Sequence, residues 1–144
     1  VTQVFSIRRQ VEFNHCDPAG IVFYPRYFEM ISALIERFFA DAVGVSWKAM
    51  AATEGTGTPM GDIHIRFEAP SRLEDLLDLS LSVAAIGGAS ARFALRCTCA
   101  GELRFTGEAT VIYASLDSGS GARAARWPDP VRQSMSRYLD APDT

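Results

Sequence analysis

The stretch HCDPAGIVFYPRYFEMI, residues 15–31, sets turn chemistry directly against an apolar helical run. In DPAG, residues 17–20, Pro18 presets φ and Gly20 tolerates positive φ, so the segment reads as a turn carrying one carboxylate, Asp17. The run that follows has Pro25 where a helix begins and Gly44 where one stops. Between them Tyr27, Phe28, Ile31, Leu34, Ile35, Phe38, Phe39 and Ala42 cover most of the circumference, and Arg26, Glu29, Glu36, Arg37 and Asp41 leave only a narrow polar stripe. A helix apolar nearly all round belongs in the middle of a fold. The helix predicted over 25–43 therefore needs a sheet around it.

The flanks supply that sheet. Residues 3–13 alternate loosely and predict a strand with a bulge or kink. After a loop predicted over 45–60, the period changes from helical to two: Ile63, Ile65 and Phe67 alternate with His64, Arg66 and Glu68 in a strand over 62–70. Residues 76–86, 91–100 and 103–115 predict three more strands, with Gly87-Gly88 and Gly101-Glu102 as turns. Residues 117–127 read as a flexible loop and 128–139 as a terminal helix. The order β-α-β-β-β-β is an α+β pattern: an antiparallel five-stranded sheet wrapped around a long central helix, in one domain over 1–144. Such a sheet leaves an edge strand open, which predicts dimerisation through that edge.

Composition narrows the class. The chain has 144 residues, 48% hydrophobic and 22% charged, with net charge −3 and pI near 5.3. That balance predicts no nucleic-acid partner. No apolar run reaches the ~18 residues of a membrane span, and the opening VTQVFSIRRQ lacks the apolar core of a signal peptide. Three cysteines without dense spacing read as reduced thiols, which predicts a cytoplasmic protein. Cys97 and Cys99 form C-x-C on a strand but have no ligand-spaced partners, and Cys16 adds none, so no metal site is predicted.

The segment EFNHCDPAGIVFYPRYFEM resembles the active-site segment of the hotdog-fold acyl-CoA thioesterases of the 4-hydroxybenzoyl-CoA thioesterase type. The shared pattern Asp-x-x-Gly-x-Val-x-Tyr-x-x-Tyr is met by Asp17, Gly20, Val22, Tyr24 and Tyr27. The resemblance continues through IRFEAPSRLEDLLDL, GGASARFAL and GEATVIYAS, covering roughly residues 5–115. It implies a dimer as minimal unit, commonly assembled into a homotetramer, with active sites at the subunit interface. It implies that Asp17 performs hydrolysis of an acyl-CoA and that the backbone N–H of Tyr24 polarises the thioester carbonyl. No cofactor is implied, CoA being part of the substrate.

The residues suit that chemistry. A carboxylate acts as covalent nucleophile or as general base on water. A helix start offers unpaired N–H groups and a positive dipole end. Pro25 has no N–H, so the donor is Tyr24 or a residue of the preceding turn. His15 is either a second base or a polar strand-end residue, the plainer reading. His64 either lines a site facing the partner subunit or is a solvated or interface histidine. Phe23 and Tyr24 pack near the acyl group or in the core. Trp47 and Thr58, by the resemblance, approach an aromatic acyl ring; otherwise they belong to a surface loop. Ser32 stands where the 4-hydroxybenzoyl enzyme has an acid, and Gly87-Gly88-Ala89 where it has a basic turn, so the exact 4-hydroxybenzoyl specificity is not implied. Gly88 and Ser90 are implied contacts of the pantetheine arm. Arg66, Arg72, Arg92, Arg96, Arg123 and Arg126 are candidate partners for CoA phosphates. A hydratase or dehydratase on the same fold, and a non-catalytic acyl-CoA binder, are the rival readings; the first needs a working histidine and the second no carboxylate.

Overall fold

The computed structural model describes residues 3–116 and 121–140. Five antiparallel strands form the main sheet: β1 (Phe5–Gln10), β3 (Met60–Phe67), β4 (Leu76–Ile86), β5 (Ser90–Cys99) and β6 (Glu102–Ile112), in spatial order β1-β4-β5-β6-β3. A short strand β2 (Thr56–Gly57) pairs with β7 (Ala114–Ser115), which pairs with β8 (Arg123–Ala124). One face of the main sheet is the core. Leu77, Leu79, Leu81 and Val83 of β4, Phe93 and Leu95 of β5, and Phe105, Ala109 and Val111 of β6 point inward at alternate positions and are buried. Helix α1 (Tyr24–Arg37) lies on that face and buries Tyr27, Met30, Ile31, Leu34 and Ile35. This is the hotdog arrangement that the sequence predicts.

The helix begins one residue before Pro25, with Phe23 extended at φ −69° and ψ 123° as its cap. It does not run as a regular α-helix to residue 43. Its last turn, Phe38–Val43, widens into a π-helix, and Gly44 at φ 92° donates its N–H back five residues to Phe39 O at 2.8 Å. Phe38 and Phe39 point in different directions and are both buried, because Tyr138 packs on the first and Trp127 on the second.

Three other sequence expectations need correction. The predicted strand over 3–13 stops at Gln10, and Phe13–His15 form a 3₁₀ turn. The predicted loop over 45–60 holds helix α2 (Trp47–Glu54), capped by Ser46 Oγ accepting from Ala49 N at 3.0 Å and ended by Gly55. Its alanines favour helix through propensity, not through an apolar stripe, so a pattern search passes over it. The predicted flexible loop over 117–127 lies partly outside the described residues, at 117–120. Its remainder is tied down through β8 and through Trp127, which is buried, stacks on Tyr113 (ring centroids 4.8 Å apart) and on Phe39 (6.1 Å), and donates Nε1–H to Ser90 O at 2.9 Å. Helix α3 (Asp129–Ser136) follows Pro128, as predicted, and buries Met135. Among the described residues no helix is long and apolar enough to cross a membrane.

Candidate functional site

The turn that carries Asp17 is closed by its own backbone. Asp17 N donates to Ile21 O at 3.0 Å, and Gly20 N, on a residue at φ 79°, donates to Asp17 O at 2.9 Å. The side chain takes part as well: Asp17 Oδ1 accepts from Ala19 N at 2.9 Å, an Asx-type turn that sets the carboxylate's direction. A bridge between Cys16 and Val22 zips the two legs of the turn together. The carboxylate is half-buried, on a rigid support, seven residues before the first residue of the helix.

At the helix start the backbone donors can be followed one by one. Phe23 N donates to His15 O at 2.9 Å and Arg26 N to Phe23 O at 2.9 Å. Pro25 has none. The hydrogen bonds of the described residues include no partner for Tyr24 N–H. An unpaired N–H at the positive end of a fourteen-residue helix is a donor for a carbonyl oxygen or an anion. The Tyr24 ring itself is exposed, 5.5 Å from Phe23 and 6.4 Å from Phe67 between centroids.

A cavity of about 320 Å³ adjoins this start, and a second of the same volume lies beyond it. One is lined by Ile21, Val22, Tyr24, Tyr27 and Phe67 with the 68–70 segment. The other lies farther along α1, between Phe28, Ile31, Ser32 and Ile35, Trp47 of α2, Thr58, and Met60 and Ile63 of β3. Ser32 is about 12 Å along the axis from Tyr24, at 1.5 Å per residue. So Ser32, Trp47 and Thr58, widely spaced in sequence, meet in one apolar cavity. Trp47 Nε1 and Thr58 Oγ1 are both buried and have no hydrogen-bond partner. Trp47 belongs to a helix, not to the surface loop of the plainer sequence reading.

The remaining predicted residues are distributed elsewhere. Phe23 is exposed and lines neither cavity. Gly88 and Ser90 sit in the β4–β5 turn. The register Met60↔Val111↔Ala91 puts that turn at the Met60 end of the sheet, and Phe67↔Phe105↔Cys97 marks the opposite end, beside Tyr24. Within one chain Gly88 and Ser90 are therefore not brought to Asp17. They meet the C-terminal segment instead: Gly88 O accepts from Trp127 N at 3.0 Å, and Arg132 Nη1 donates to Gly87 O at 2.8 Å. Arg126 precedes Trp127, whose N–H reaches that turn, while Arg123 lies in β8 opposite Ser115. Arg66 is paired with Glu68 at 3.0 Å and Arg92 with Glu108 at 3.8 Å.

His15 is not a strand-end residue. It closes the 3₁₀ turn, is 5% exposed, and its Nδ1 accepts from Glu12 N at 2.8 Å, which makes it a structural histidine. His64 is exposed on the outer face, opposite Ile63 and Ile65. Cys97 is buried, and burial pushes its thiol pKa up to about 12. Among the described residues no cluster of three or more His, Cys, Asp or Glu is placed to hold a metal ion.

Sequence reading missed a polar network beside Asp17. Tyr27 Oη donates to Ser71 Oγ at 2.9 Å, and Arg104 Nη1 donates to the same oxygen at 3.0 Å, to Pro70 O at 3.1 Å and to Asp75 Oδ2 at 2.8 Å. Ser71 O accepts from Val22 N at 2.9 Å. Burial raises the Tyr27 phenol pKa, and the Arg104 hydrogen bond lowers that of Asp75. The one sequence signal was Tyr27, which belongs to the shared motif; Ser71 and Arg104 are remote from it in the chain.

Comparison with known proteins agrees with this architecture. Residues 11–135 match the family model described as the thioesterase-like superfamily. A 4-hydroxybenzoyl-CoA thioesterase of Pseudomonas sp. (strain CBS-3) is 27% identical over 79 residues, 54% of this chain and 56% of that protein, so the chain spans little more than half the length of the curated relative it matches. The crystal structure of the 4-hydroxybenzoyl-CoA thioesterase from Pseudomonas sp. strain CBS-3 superposes with a TM-score of 0.82 at 24% identity, over 92% of this chain and 99% of that one. A 1,4-dihydroxy-2-naphthoyl-CoA thioesterase from Synechocystis gives 0.82 at 18% identity, over 93% and 96%. The family model spans residues 11–135, most of the chain and both the carboxylate turn and the central helix, and this chain belongs to the thioesterase-like superfamily.

Proposed function

We propose that this protein is an acyl-CoA thioesterase that hydrolyses a thioester to a free acid and CoA. The observation that carries the reading is the unpaired N–H of Tyr24 at the start of α1, directly after a turn that holds the Asp17 carboxylate rigidly. The thioester carbonyl oxygen accepts from Tyr24 N–H, which stabilises the negative charge as the tetrahedral intermediate forms. Asp17 acts on the carbonyl carbon, directly or by taking a proton from the attacking water. Collapse of the intermediate breaks the C–S bond. Where Asp17 has activated water, the acid forms at once and the CoA thiolate takes up the proton that Asp17 removed. Where Asp17 has attacked directly, water hydrolyses the acyl–Asp17 anhydride left behind, which releases the acid, regenerates the carboxylate and supplies the proton of the thiol. No cofactor enters this scheme.

The cavity lined by Ser32, Trp47 and Thr58 is the proposed acyl site. Its apolar walls and uncharged polar groups favour an aromatic or medium-length acyl group without a second negative charge. The dimer is proposed as the working unit. The edge strand β3 is open and carries exposed Met60 and Phe67. Antiparallel pairing of two β3 edges brings the Met60 end of one subunit beside the Phe67 end of the other, and with it the Gly88–Ser90 turn of one toward Asp17 of the other. A tetramer of two such dimers and a cytoplasmic location complete the proposal.

Free-thiol release from a panel of aromatic and aliphatic acyl-CoAs tests it. Thiol release from at least one member, at a rate proportional to enzyme, is expected. Hydration or dehydration without thiol release, or binding without turnover, would replace the proposal with one of its rivals.

A further inference from the structure

The active turn and α1 hang on one buried serine that lies outside the shared motif. Ser71 is 0% exposed and grips both flanks of residue 24. On the N-terminal side its carbonyl oxygen accepts from Val22 N at 2.9 Å, two residues before Tyr24. On the C-terminal side its Oγ accepts from Tyr27 Oη at 2.9 Å, three residues after. The Ser71 hydroxyl is itself held by Arg104 Nη1 at 3.0 Å, and the same nitrogen reaches Pro70 O and Asp75 Oδ2. Arg104 is 11% exposed and anchored in β6, so the strap over residues 70–75 is referred to the central sheet and not to a mobile loop. Val22 also carries the bridge to Cys16, next to Asp17.

From this geometry we infer that Ser71 is a positioning residue: it sets the pose of the peptide unit that presents Tyr24 N–H, and Arg104 holds Ser71 in place. The inference rests on the proposed thioesterase reading for its consequence in rate, but the clamp itself does not. A donor must sit within a few tenths of an ångström of the developing oxyanion, and small displacements at such a position are costly in rate while leaving substrate binding nearly unchanged.

The test uses the variants S71A and Y27F and their double combination. With any acyl-CoA that the wild type turns over, S71A lowers kcat by at least about tenfold and leaves KM within about threefold, since the lost precision concerns the transition state and not the acyl cavity. Y27F lowers kcat in the same direction. The double variant is no worse than S71A within about twofold, because both remove the same bond. Independently of turnover, amide hydrogen exchange at Val22 and Phe23 accelerates in S71A, while the Met30, Ile31 and Leu34 amides keep their wild-type rates. Multiplicative effects in the double variant, or unchanged kcat together with unchanged exchange at Val22, would overturn the inference. Absence of thiol release from the wild type would refute the thioesterase reading instead, and the exchange rates alone would then decide the clamp.

Discussion

Arg104 Nη1 lies 2.8 Å from Asp75 Oδ2, on a side chain only 11% exposed. The arginine hydrogen bond, and after it the Arg72 N–H at 2.9 Å, hold the Asp75 carboxyl below its ordinary pKa. A carboxylate favoured in the folded state contributes its full stability above the unfolded pKa of about 3.9 and loses it as pH falls through the lowered folded value. Thermal unfolding followed from about pH 6 down to about pH 2 should therefore show a shallower acid limb for Asp75→Asn than for the wild type. At neutral pH the variant should be less stable, by roughly 1 kcal/mol, since Arg104 exchanges its better-buried carboxylate for a neutral acceptor and keeps only the exposed Glu102, at 2.8 Å, as a charged partner. Parallel acid limbs would remove Asp75 from the acid response.

Asp17→Asn and Tyr24→Pro separate the two halves of the proposed chemistry. Asparagine keeps an oxygen to accept from Ala19 N, so the turn persists while the base or nucleophile is lost. Proline at residue 24 removes the N–H together with the phenol ring that meets Phe23 and Phe67, so Tyr24→Ala, which loses the ring and keeps the N–H, is its control. Position 24 is the first of the helix, where proline is favoured, and Phe23 is already extended as a residue before proline must be. Both proteins should keep wild-type circular dichroism. Asp17→Asn should lose on the order of 10²–10⁴ in kcat, and Tyr24→Pro on the order of 10²–10³. A Tyr24→Pro protein with wild-type kcat would dismiss the backbone donor.

Thr58 Oγ1 is a buried hydroxyl with no partner, in a residue that lines the proposed acyl cavity. Removing such a group relieves a desolvation cost, so Thr58→Val should leave stability unchanged or raise it by up to about 1 kcal/mol. The variant should also raise KM for acyl-CoAs bearing a polar ring substituent relative to unsubstituted ones. Loss of stability in thermal melts would mean that the hydroxyl is satisfied in the folded protein.

The cysteines give a structural check independent of activity. Burial pushes the Cys97 thiol pKa up to about 12, whereas Cys16 and Cys99 are half-buried. At about pH 8 only about one Cys97 thiol in ten thousand is ionised, and the thiolate is the reacting species. Titration with a thiol reagent should modify two cysteines in the native protein and the third only in denaturant. Prompt reaction of all three would place Cys97 outside the core.

The fold was legible where a single periodicity dominates. Ile63, Ile65, Leu77, Leu79 and Leu81 alternate cleanly because one face of each strand meets the core, and Pro25 and Gly44 bracket the helix by backbone chemistry alone. It was illegible where structure rests on propensity or on long-range ties. Helix α2 has too weak an apolar stripe to be seen, and Trp127 becomes a core residue only through Tyr113 and Phe39, far away in the chain. The candidate site divides in the same way. Asp17 and Tyr24 lie seven residues apart in one motif and could be read together. The meeting of Ser32, Trp47 and Thr58 depends on how α1 and α2 pack, and the Ser71–Arg104 bond joins residues thirty-three apart in sequence.

The stacking of Trp127 between Phe39 and Tyr113 has a consequence for biosynthesis. All five sheet strands and the long helix have been translated by residue 112, yet the ring of Phe39 has no cover on that side until residue 127 has cleared the ribosomal tunnel. A nascent chain therefore holds a sticky aromatic surface until Trp127 emerges, and maturation closes only when that residue and α3 swing back across the nearly finished body.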